Sequence, residues 1–444
     1  MRPGWAAALL AALAALLSAC TEPPDLSPVA ESLAPGTAGL GAARMPDRVA
    51  RAPFGAHIAR AVMADPAIAR SGSEIRAARA EKTAADRALF PEVRVGISSE
   101  TRVIDDLASS GASPFLRVSQ LVYDAGAAQA DQTAAEARVL QSRARRIETA
   151  AQTALSAVEA YRRLITGRRL LALAEENLTE LRRIADRIAE RGQRGAGSRA
   201  DTLTARSRVA DAETRLVEAR ARLDKAQAAF RRVFADIPAD LPPPVNAPPL
   251  PSDAEEVLDQ SPRLRAANAR VKLAQSEHAS ARARRRPALE LGATGRRASS
   301  GGGSDIEIDL TLDYSFDTRG DLGAAIESAA ARVDAARAAR DTLRREVREA
   351  LATVRSDQDA GEARVAAARE AVETNAASLA AARDQFRIGR RTLVDLLDAQ
   401  HDLVRAREIR IRAEQDRFLT DYAALALTGD ILDLFDIELP GVQE

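Results

Sequence analysis

Three features of the sequence predict a mainly α protein with a small β part: an internal duplication, long proline-free segments with heptad spacing, and short segments of alternating polarity. Aromatic residues make up 3% of the chain, which is too few for a conventional large globular core. The abundance of Ala, Arg, Glu and Leu favours long antiparallel coiled-coil helices instead. Basic and acidic residues balance at 64 each, so the charge gives no indication of nucleic-acid binding.

The duplication relates two stretches that lie 194 residues apart. Gly195, Ser198, Asp201, Leu203 and Ala205 share a frame with Gly389, Thr392, Asp395, Leu397 and Ala399. Because this period is too long for a solenoid repeat, we expect a copied substructure with approximate two-fold internal symmetry. The first structural repeat is predicted at 51–237 and the second at 252–428, with a proline-rich linker at 238–251 and a C-terminal tail at 429–444.

The N-terminus predicts a signal peptide, residues 1–19, followed by a lipidated tether, residues 20–50. The apolar run from Trp5 to Leu17 is short for a membrane-spanning helix and suits a signal-peptide core. Cys20 is the only cysteine and follows a small residue after that run, as in a bacterial lipobox, although a chance cysteine after an ordinary signal peptide stays open. Thr21 rather than Asp follows it, which favours sorting to the outer membrane. A single cysteine excludes an intrachain disulfide.

Four strands are predicted, at about 92–104, 114–123, 288–297 and 305–316. In the last of them, apolar residues from Ile306 to Phe316 alternate with polar ones, including Asp305, Glu307, Asp309 and Asp313. Its length suits a tilted transmembrane strand, but a half-buried strand of a soluble sheet would alternate in the same way.

Long helices flank these strands. No proline interrupts Asp124 to Arg191, and its apolar residues are spaced by three and four, which predicts a helix ~100 Å long. The turn glycine Gly195 ends it, and Ser198 is a candidate N-cap for a returning helix. The second copy repeats this plan from about Asp321, with its turn at Gly389. Gly167 and Gly361 lie mid-helix in the two copies, as places of close helix approach or as tolerated accidents.

Four strands cannot close a transmembrane barrel, because known barrels begin at about eight strands. An open sheet edge in lipid would leave backbone groups unpaired. The chain must therefore oligomerise if these strands cross a membrane, and three copies would give twelve strands.

The combined pattern resembles the TolC-family outer-membrane factors, the exit ducts of efflux pumps and type I secretion systems. The resemblance covers residues 55 to 428, with the paired hairpins after Pro91 and Pro287 and the turn segment FRIGRRTLVDLLDAQ at 386–400. It implies a homotrimer with a 12-stranded β-barrel in the outer membrane of a Gram-negative bacterium and a 12-helix tunnel in the periplasm. The implied partners are a periplasmic adaptor and an inner-membrane transporter.

The resemblance also implies a gate near the turns of the long hairpins. Arg391 occupies the place of the family's gating arginine and Asp201 that of its acidic partner. Phe386 stands where well-known members carry a gating tyrosine, so one hydroxyl latch is missing. Asp395 and Asp398 match an acidic ring at the entrance, which would favour cations; the alternative for each is an ordinary exposed helix carboxylate.

The polar strand face of Asp305, Glu307, Asp309 and Asp313 is hypothesised, without family support, to line the barrel lumen with negative charge. We expect no enzyme activity, cofactor or bound metal, because the three histidines lie far apart and Gly301 to Gly303 lack the context of a phosphate loop. Two alternatives are a periplasmic adaptor, which would have one hairpin flanked by compact β domains, and a structural coiled-coil lipoprotein, which would lack strands. The substrate, whether drug, metal or polypeptide, stays open.

Overall fold

The computed structural model describes residues 23–33, 47–104, 107–194, 198–238, 241–248, 258, 261–297 and 304–439. Their elements follow in chain order: helices α1 (Ser27–Ser32), α2 (Asp47–Ala50), α3 (Pro53–Ala64) and α4 (Pro66–Asp86), strands β1 (Glu92–Ile104) and β2 (Leu107–Tyr123), and helices α5 (Ala127–Gln193), α6 (Arg199–Phe234) and α7 (Pro262–Ala283). Strands β3 (Ala288–Arg297) and β4 (Ser304–Asp313) and helices α8 (Asp321–Arg387), α9 (Leu393–Thr428) and α10 (Asp430–Leu434) complete the chain. A 3₁₀ turn, Arg87–Leu89, links α4 to the first strand.

The duplication predicted from the sequence is visible in the helix lengths. Helices α5 and α8 have 67 residues each, and the returning helices α6 and α9 have 36 each. The two antiparallel pairs are named here the first hairpin (α5–α6) and the second hairpin (α8–α9). At ~1.5 Å per residue, each long helix extends ~100 Å.

Both long helices begin with the same N-terminal capping arrangement. A glycine in the left-handed region precedes each one, Gly126 at φ 91° and Gly320 at φ 78°. An aspartate just upstream accepts backbone N–H groups of the first turn: Asp124 from Gly126 and Ala128, and Asp317 from Leu322 and Gly323. These carboxylates satisfy N–H groups that a helix start otherwise leaves unpaired.

The strands form one antiparallel sheet in the order β1-β2-β3-β4, so the two β-hairpins lie side by side. In the half of the molecule next to the sheet, neighbouring helices lie side by side in the order α4, α5, α7, α8. In the half towards the hairpin turns, the neighbours lie in the order α6, α5, α9, α8. Helix α5 is therefore interior along its whole length, whereas α8 always forms one flank of the protomer.

The heptad seams predicted from the sequence are the buried seams of the hairpins. Leu164, Leu178 and Leu181 of α5 are buried, as are Leu397 and Phe418 of α9. The two mid-helix glycines differ: a Cβ on Gly167 would lie 3.3 Å from Leu223 of α6, which is a close helix approach, whereas one on Gly361 would lie 3.6 Å from Arg417 of α9, an ordinary contact distance.

Two strands differ from their predicted bounds. Strand β2 begins at Leu107 rather than near residue 114, so the residues from Leu107 to Pro114 are part of a β-ladder with β1. A proline is accepted there because β3 pairs with β2 only from Phe115 onwards, and its missing N–H needs a side without a partner strand. Strand β4 ends at Asp313 rather than at residue 316, because its partner β3 begins at Ala288, the residue opposite Asp313.

Both chain ends contribute to the core, which the sequence did not predict. Leu26, Val29 and Leu33 from the predicted tether are buried beside α7, and Ile431 and other apolar residues from the predicted tail are buried beside α5 and α9. These segments are short and have no long periodic pattern, so only the tertiary structure reveals their packing.

No helix in the described part of the chain is both long enough and apolar enough to cross a membrane.

Candidate channel gate and lumen face

The strand register divides the sheet into an apolar and a polar face. Residues directly opposite each other in an antiparallel ladder share a face. One row across the sheet therefore holds Val95, Leu116, Gly295 and Ile306, and the adjacent row on the other face holds Arg94, Arg117, Thr294 and Glu307. The predicted lumen residues Asp305, Glu307, Asp309 and Asp313 all lie on the polar face.

Exposure shows which way the sheet curves. On the central strands, the apolar residues Leu116 and Leu291 are 48% and 43% exposed, whereas Thr294 on the polar face is only 4% exposed. Side chains crowd together on a concave face and spread apart on a convex one. The polar face is therefore the concave, inner one, and the apolar face points outward, as a lipid-facing wall requires.

The inner face is mixed in charge, so the expectation of a purely negative lining is incomplete. Arg94, Arg117 and Arg296 lie on it together with the predicted carboxylates. Arg117 Nη2 lies 3.8 Å from Asp309 Oδ2, and Arg94 Nη2 lies 2.8 Å from Glu92 Oε1. A search for acidic residues on one strand could not find these arginines, because they lie on three other strands.

The turn of the second hairpin is closed by a capping box. Gly389 adopts φ 77°, and Thr392 caps α9 by accepting the N–H of Asp395 at 3.2 Å. The Asp395 carboxylate in turn accepts the Thr392 hydroxyl at 2.7 Å and its N–H at 3.0 Å. These hydrogen bonds, helped by the nearby positive charge of Arg391, lower the pKa of Asp395. Gly195, the matching turn glycine of the first hairpin, lies outside the described residues, as does Cys20.

The other predicted entrance carboxylate is already paired within the protomer. Asp398 Oδ1 accepts from Arg208 Nη2 at 2.9 Å, which joins α9 to α6. Asp395 and Asp398 therefore have roles inside one protomer, in a helix cap and in an inter-hairpin ion pair. Their participation in an acidic ring stays a prediction.

Phe386 lies between the two hairpins near their ends. It is half-buried and packs against the apolar clusters of both hairpins. The guanidinium carbon of Arg191, in the last turn of α5, lies 5.4 Å from the Phe386 ring centroid. A phenylalanine at this position thus offers a cation–π contact where a tyrosine would offer a hydroxyl.

Arg391 and Asp201 lie near the two turns but do not meet each other. Neither side chain makes a hydrogen bond or an ion pair with the described residues of its own protomer. Arg391 is exposed and Asp201 is half-buried in the first turn of α6. The predicted gate pair could therefore form only between protomers or in another state of the hairpins, and it stays a prediction.

A set of polar contacts that the sequence reasoning missed ties the hairpins together. Asn177 of α5 and Gln400 of α9 are buried, and Gln400 Nε2 donates to Asn177 Oδ1 at 3.2 Å. Arg383 of α8 reaches Gln400 Oε1 at 3.4 Å and Glu180 Oε1 at 2.8 Å. The sequence did contain a sign of this contact. Gln400 lies three residues from Leu397 and Asn177 four from Leu181, so both amides occupy seam positions, where a polar residue often fixes the register of the helices.

The charge state of Glu180 follows from this network. Its partial burial alone would raise the carboxyl pKa. The hydrogen bond from Arg183 and the positive charges of Arg383, Arg183 and Arg187 outweigh that effect, so the pKa of Glu180 is lowered. Glu180 therefore remains ionised beside its arginines.

A groove runs between the returning helices α6 and α9 over the surface of α5. Its volume is about 350 Å³. Its floor is apolar, formed by Leu170, Leu173 and Ala174, and its walls carry charged residues such as Arg215 of α6 and Arg405 of α9. Such a combination suits a partner helix with an apolar stripe and charged edges.

The curved sheet with an outward apolar face, continued by two long helical hairpins, defines a membrane channel protomer. The family model described as outer membrane efflux protein matches residues 58–235 and 254–428. The chain therefore belongs to the outer membrane efflux protein family, and it functions as an outer-membrane efflux channel.

Individual relatives and solved structures are also similar to this chain. The outer membrane efflux protein BepC of Brucella suis biovar 1 (strain 1330) is 25% identical over 324 residues, which cover 71% of each chain. The outer-membrane channel OprN matches with a TM-score of 0.80 at 19% identity, over 92% of this chain and 99% of its own. The outer membrane protein VceC of Vibrio cholerae matches with a TM-score of 0.78 at 17% identity, over 86% and 97%.

Proposed function

We propose that the protein is a lipid-anchored homotrimer that serves as the exit duct of a tripartite efflux pump or a type I secretion system. It conducts substrates passively, and the energy comes from an inner-membrane transporter linked through a periplasmic adaptor. One observation supports the trimer. Each flank of the protomer has an unpartnered surface, in the sheet and in the helices, and the surfaces of the two flanks match each other.

The sheet has two open edges. Within the described residues of one protomer, strand β1 pairs only with β2, and strand β4 pairs only with β3. Both edge strands carry strongly exposed apolar residues, such as Val95 at 76% and Ile308 at 75%. A neighbouring copy that places its β4 beside β1 would satisfy both edges, and three copies would close a twelve-stranded ring.

The helical flanks carry two exposed heptad stripes of mostly small residues. The stripe on α6 has residues spaced alternately by four and three: Leu203, Ser207, Ala210, Thr214, Val217, Ala221, Asp224 and Ala228. The stripe on α8 has residues spaced alternately by three and four: Ala360, Ala363, Ala367, Glu370, Thr374, Ala377 and Ala381. Since such spacing defines a coiled-coil seam, α6 of one protomer would pack on α8 of the next, and the ring of helices would close together with the ring of strands.

The position of the N-terminal segment supports the lipid anchor. Asp25 lies within electrostatic range of Lys272 in the middle of α7. Lys272 is 16 residues from Ala288, the start of β3, which corresponds to ~24 Å of helix. The five residues from Asp25 to Cys20 can span ~17 Å. These residues alone stop ~7 Å short of the start of β3, so an acyl chain on Cys20 would have to extend over the remaining distance to the membrane.

The gate at the hairpin ends would open by an iris-like movement of the second hairpin. Arg391→Ser or Asp201→Ala should raise single-channel conductance in planar bilayers and sensitivity of cells to large antibiotics. Arg390→Ser is the matched control, since it removes the same charge from an adjacent exposed position. Wild-type conductance in both gate variants would count against the gate assignment.

The groove between α6 and α9 is the proposed contact for the adaptor. A photo-crosslinking residue at Arg215 or Arg405 should capture a periplasmic coiled-coil protein from intact cells. The same probe at Arg332, on the sheet-proximal half of α8, is the control position. Equal capture at both positions would remove the groove from the proposal.

A further inference from the structure

We propose that Arg117 sets the ion selectivity of the barrel lumen by neutralising Asp309 across strand β3. This inference rests on the proposed channel function. Arg117 lies outside the acidic row of β4, and inorganic ions are the solutes on which its effect can be measured.

The geometry depends on Gly292. Asp309 on β4 lies directly opposite Gly292 on β3, and Arg117 on β2 lies opposite Thr294, two residues further along β3 on the same face. A Cβ on Gly292 would be 2.6 Å from Asp309 Oδ1, so the carboxylate would have to move away. Only glycine therefore leaves room for the carboxylate to lean over the central strand towards Arg117, 3.8 Å away. The Thr311 hydroxyl, 3.2 Å from Asp309 Oδ2, supports the same orientation.

Asp309 differs from the other carboxylates of its strand. Asp305, Glu307 and Asp313 are exposed, and within the described residues of one protomer none of them makes an ion pair. Arg94 is engaged by Glu92 on its own strand. Arg296 lies opposite Asp305 in the register, but among the inner-face arginines of the described residues Arg117 is the one that forms an ion pair with a carboxylate of β4.

Removing Arg117 should increase the negative potential of the lumen. In a trimer, Arg117→Gln would release three carboxylates into a narrow, curved interior, where fixed charge concentrates counter-ions. The permeability ratio of K⁺ to Cl⁻ should rise at least about twofold. Asp309→Asn should lower the ratio, and the double variant should return it close to the wild-type value.

The most specific variant changes no formal charge. Gly292→Ala should push Asp309 away from Arg117, and it should alter the permeability ratio although every ionisable residue remains. Arg297→Gln is the control, since it removes an arginine from the same strand on the opposite, apolar face. Reversal potentials would be measured in planar bilayers under a KCl gradient, after each variant is checked for heat-modifiable oligomers on gels.

The outcomes separate this inference from the proposed function. Wild-type protein without conductance would contradict the channel itself. Conducting channels in which Arg117→Gln and Asp309→Asn leave the reversal potential unchanged would overturn the role of Arg117, whatever Gly292→Ala does. Opposite shifts in these two single variants that cancel in the double variant would support the role of Arg117.

Discussion

The midsection of the protein and the ends of its hairpins are built from the same duplicated helices but are stabilised in different ways. In the midsection, aromatic side chains from several helices are fully buried, with Phe54, Tyr161, Tyr422 and Phe435 among the largest. Near the turns, the hairpins meet through narrow apolar seams and half-exposed ion pairs such as Arg208 to Asp398. Buried aromatic residues contribute several kcal/mol each, whereas exposed ion pairs contribute ~0–1 kcal/mol. The midsection is suited to hold the protomer together and the hairpin ends are suited to move.

The midsection also gathers the segments that lie outside the hairpins. The Tyr161 hydroxyl donates to the carbonyl of Pro242 and the Tyr422 hydroxyl to that of Val245, each at 2.6 Å. Two helices thereby hold the linker between the repeats against the core. A linker fixed on both repeats can keep them in register while their far ends separate.

The largest effect is expected from Tyr422→Ala. It removes a buried ring and a linker contact, and it should lower the free energy of unfolding by ~3–5 kcal/mol. Tyr422→Phe retains the ring and should cost ~1 kcal/mol for the lost hydrogen bond. Denaturant titration followed by circular dichroism measures both. Equal, small effects of the two variants would contradict the importance of the midsection core.

A smaller effect is expected from the buried amide pair between the hairpins. Asn177→Ala leaves the Gln400 amide nitrogen without its acceptor and should cost ~1–3 kcal/mol, mostly as faster hydrogen exchange in α9 near residue 400. The double variant Asn177→Leu with Gln400→Leu should recover much of this loss. Arg182→Ala, which removes the exposed ion pair with Glu213, is the control and should change exchange little. The idea fails if Asn177→Ala behaves like the control.

The stability of the second hairpin around Asp421 of α9 should depend on pH. Burial raises the pKa of Asp421, although Gln358 of α8 donates a hydrogen bond to its carboxylate at 3.0 Å. The folded state then holds its proton more tightly than the unfolded state, so stability is lost as pH rises from about 4 through the raised pKa. Asp421→Asn should be more stable than wild type at pH 7, with a smaller difference at pH 4. A difference between Asp421→Asn and wild type that is the same at both pH values would contradict this account; Asp416→Asn, at an exposed position of the same helix, is measured in parallel.

The smallest effect concerns the turn of the second hairpin. Thr392→Ala removes the cap of α9 and should cost ~1 kcal/mol, seen as faster amide exchange over the first turn of α9. Thr392→Ser keeps the hydroxyl and should restore protection. If the alanine variant exchanges like wild type, the capping box does not stabilise the turn.

The sequence was sufficient for the features that repeat along the chain. Heptad spacing identified buried seam residues such as Leu164 and Leu397, and alternation identified the faces of β4. It was insufficient where contacts join distant segments without a period. The pairing of Arg117 with Asp309, the amide pair of Asn177 with Gln400, and the burial of Leu26 depend on which elements become neighbours.

The same limit explains why the roles of the predicted entrance carboxylates could not be derived from the sequence. Matching the turn segment position by position located Asp395 and Asp398, but the roles of these residues within one protomer come from Thr392 and Arg208. A single carboxylate can be a cap or an ion-pair partner depending on the side chain that faces it. Residue identity alone does not distinguish these roles.

The most direct test of the central claim, that neighbouring copies complete the pore wall, is disulfide trapping between the two unpartnered stripes. Ala210 and Ala377 lie 12 residues from Ser198 and Gly389, and therefore at similar distances from the two turns. With cysteine at both positions, mild oxidation in membranes should give a covalent ladder that ends at three chains, and neither single variant should crosslink. Protein that stays monomeric in membranes, or a ladder that continues beyond three chains, would contradict the closed trimer.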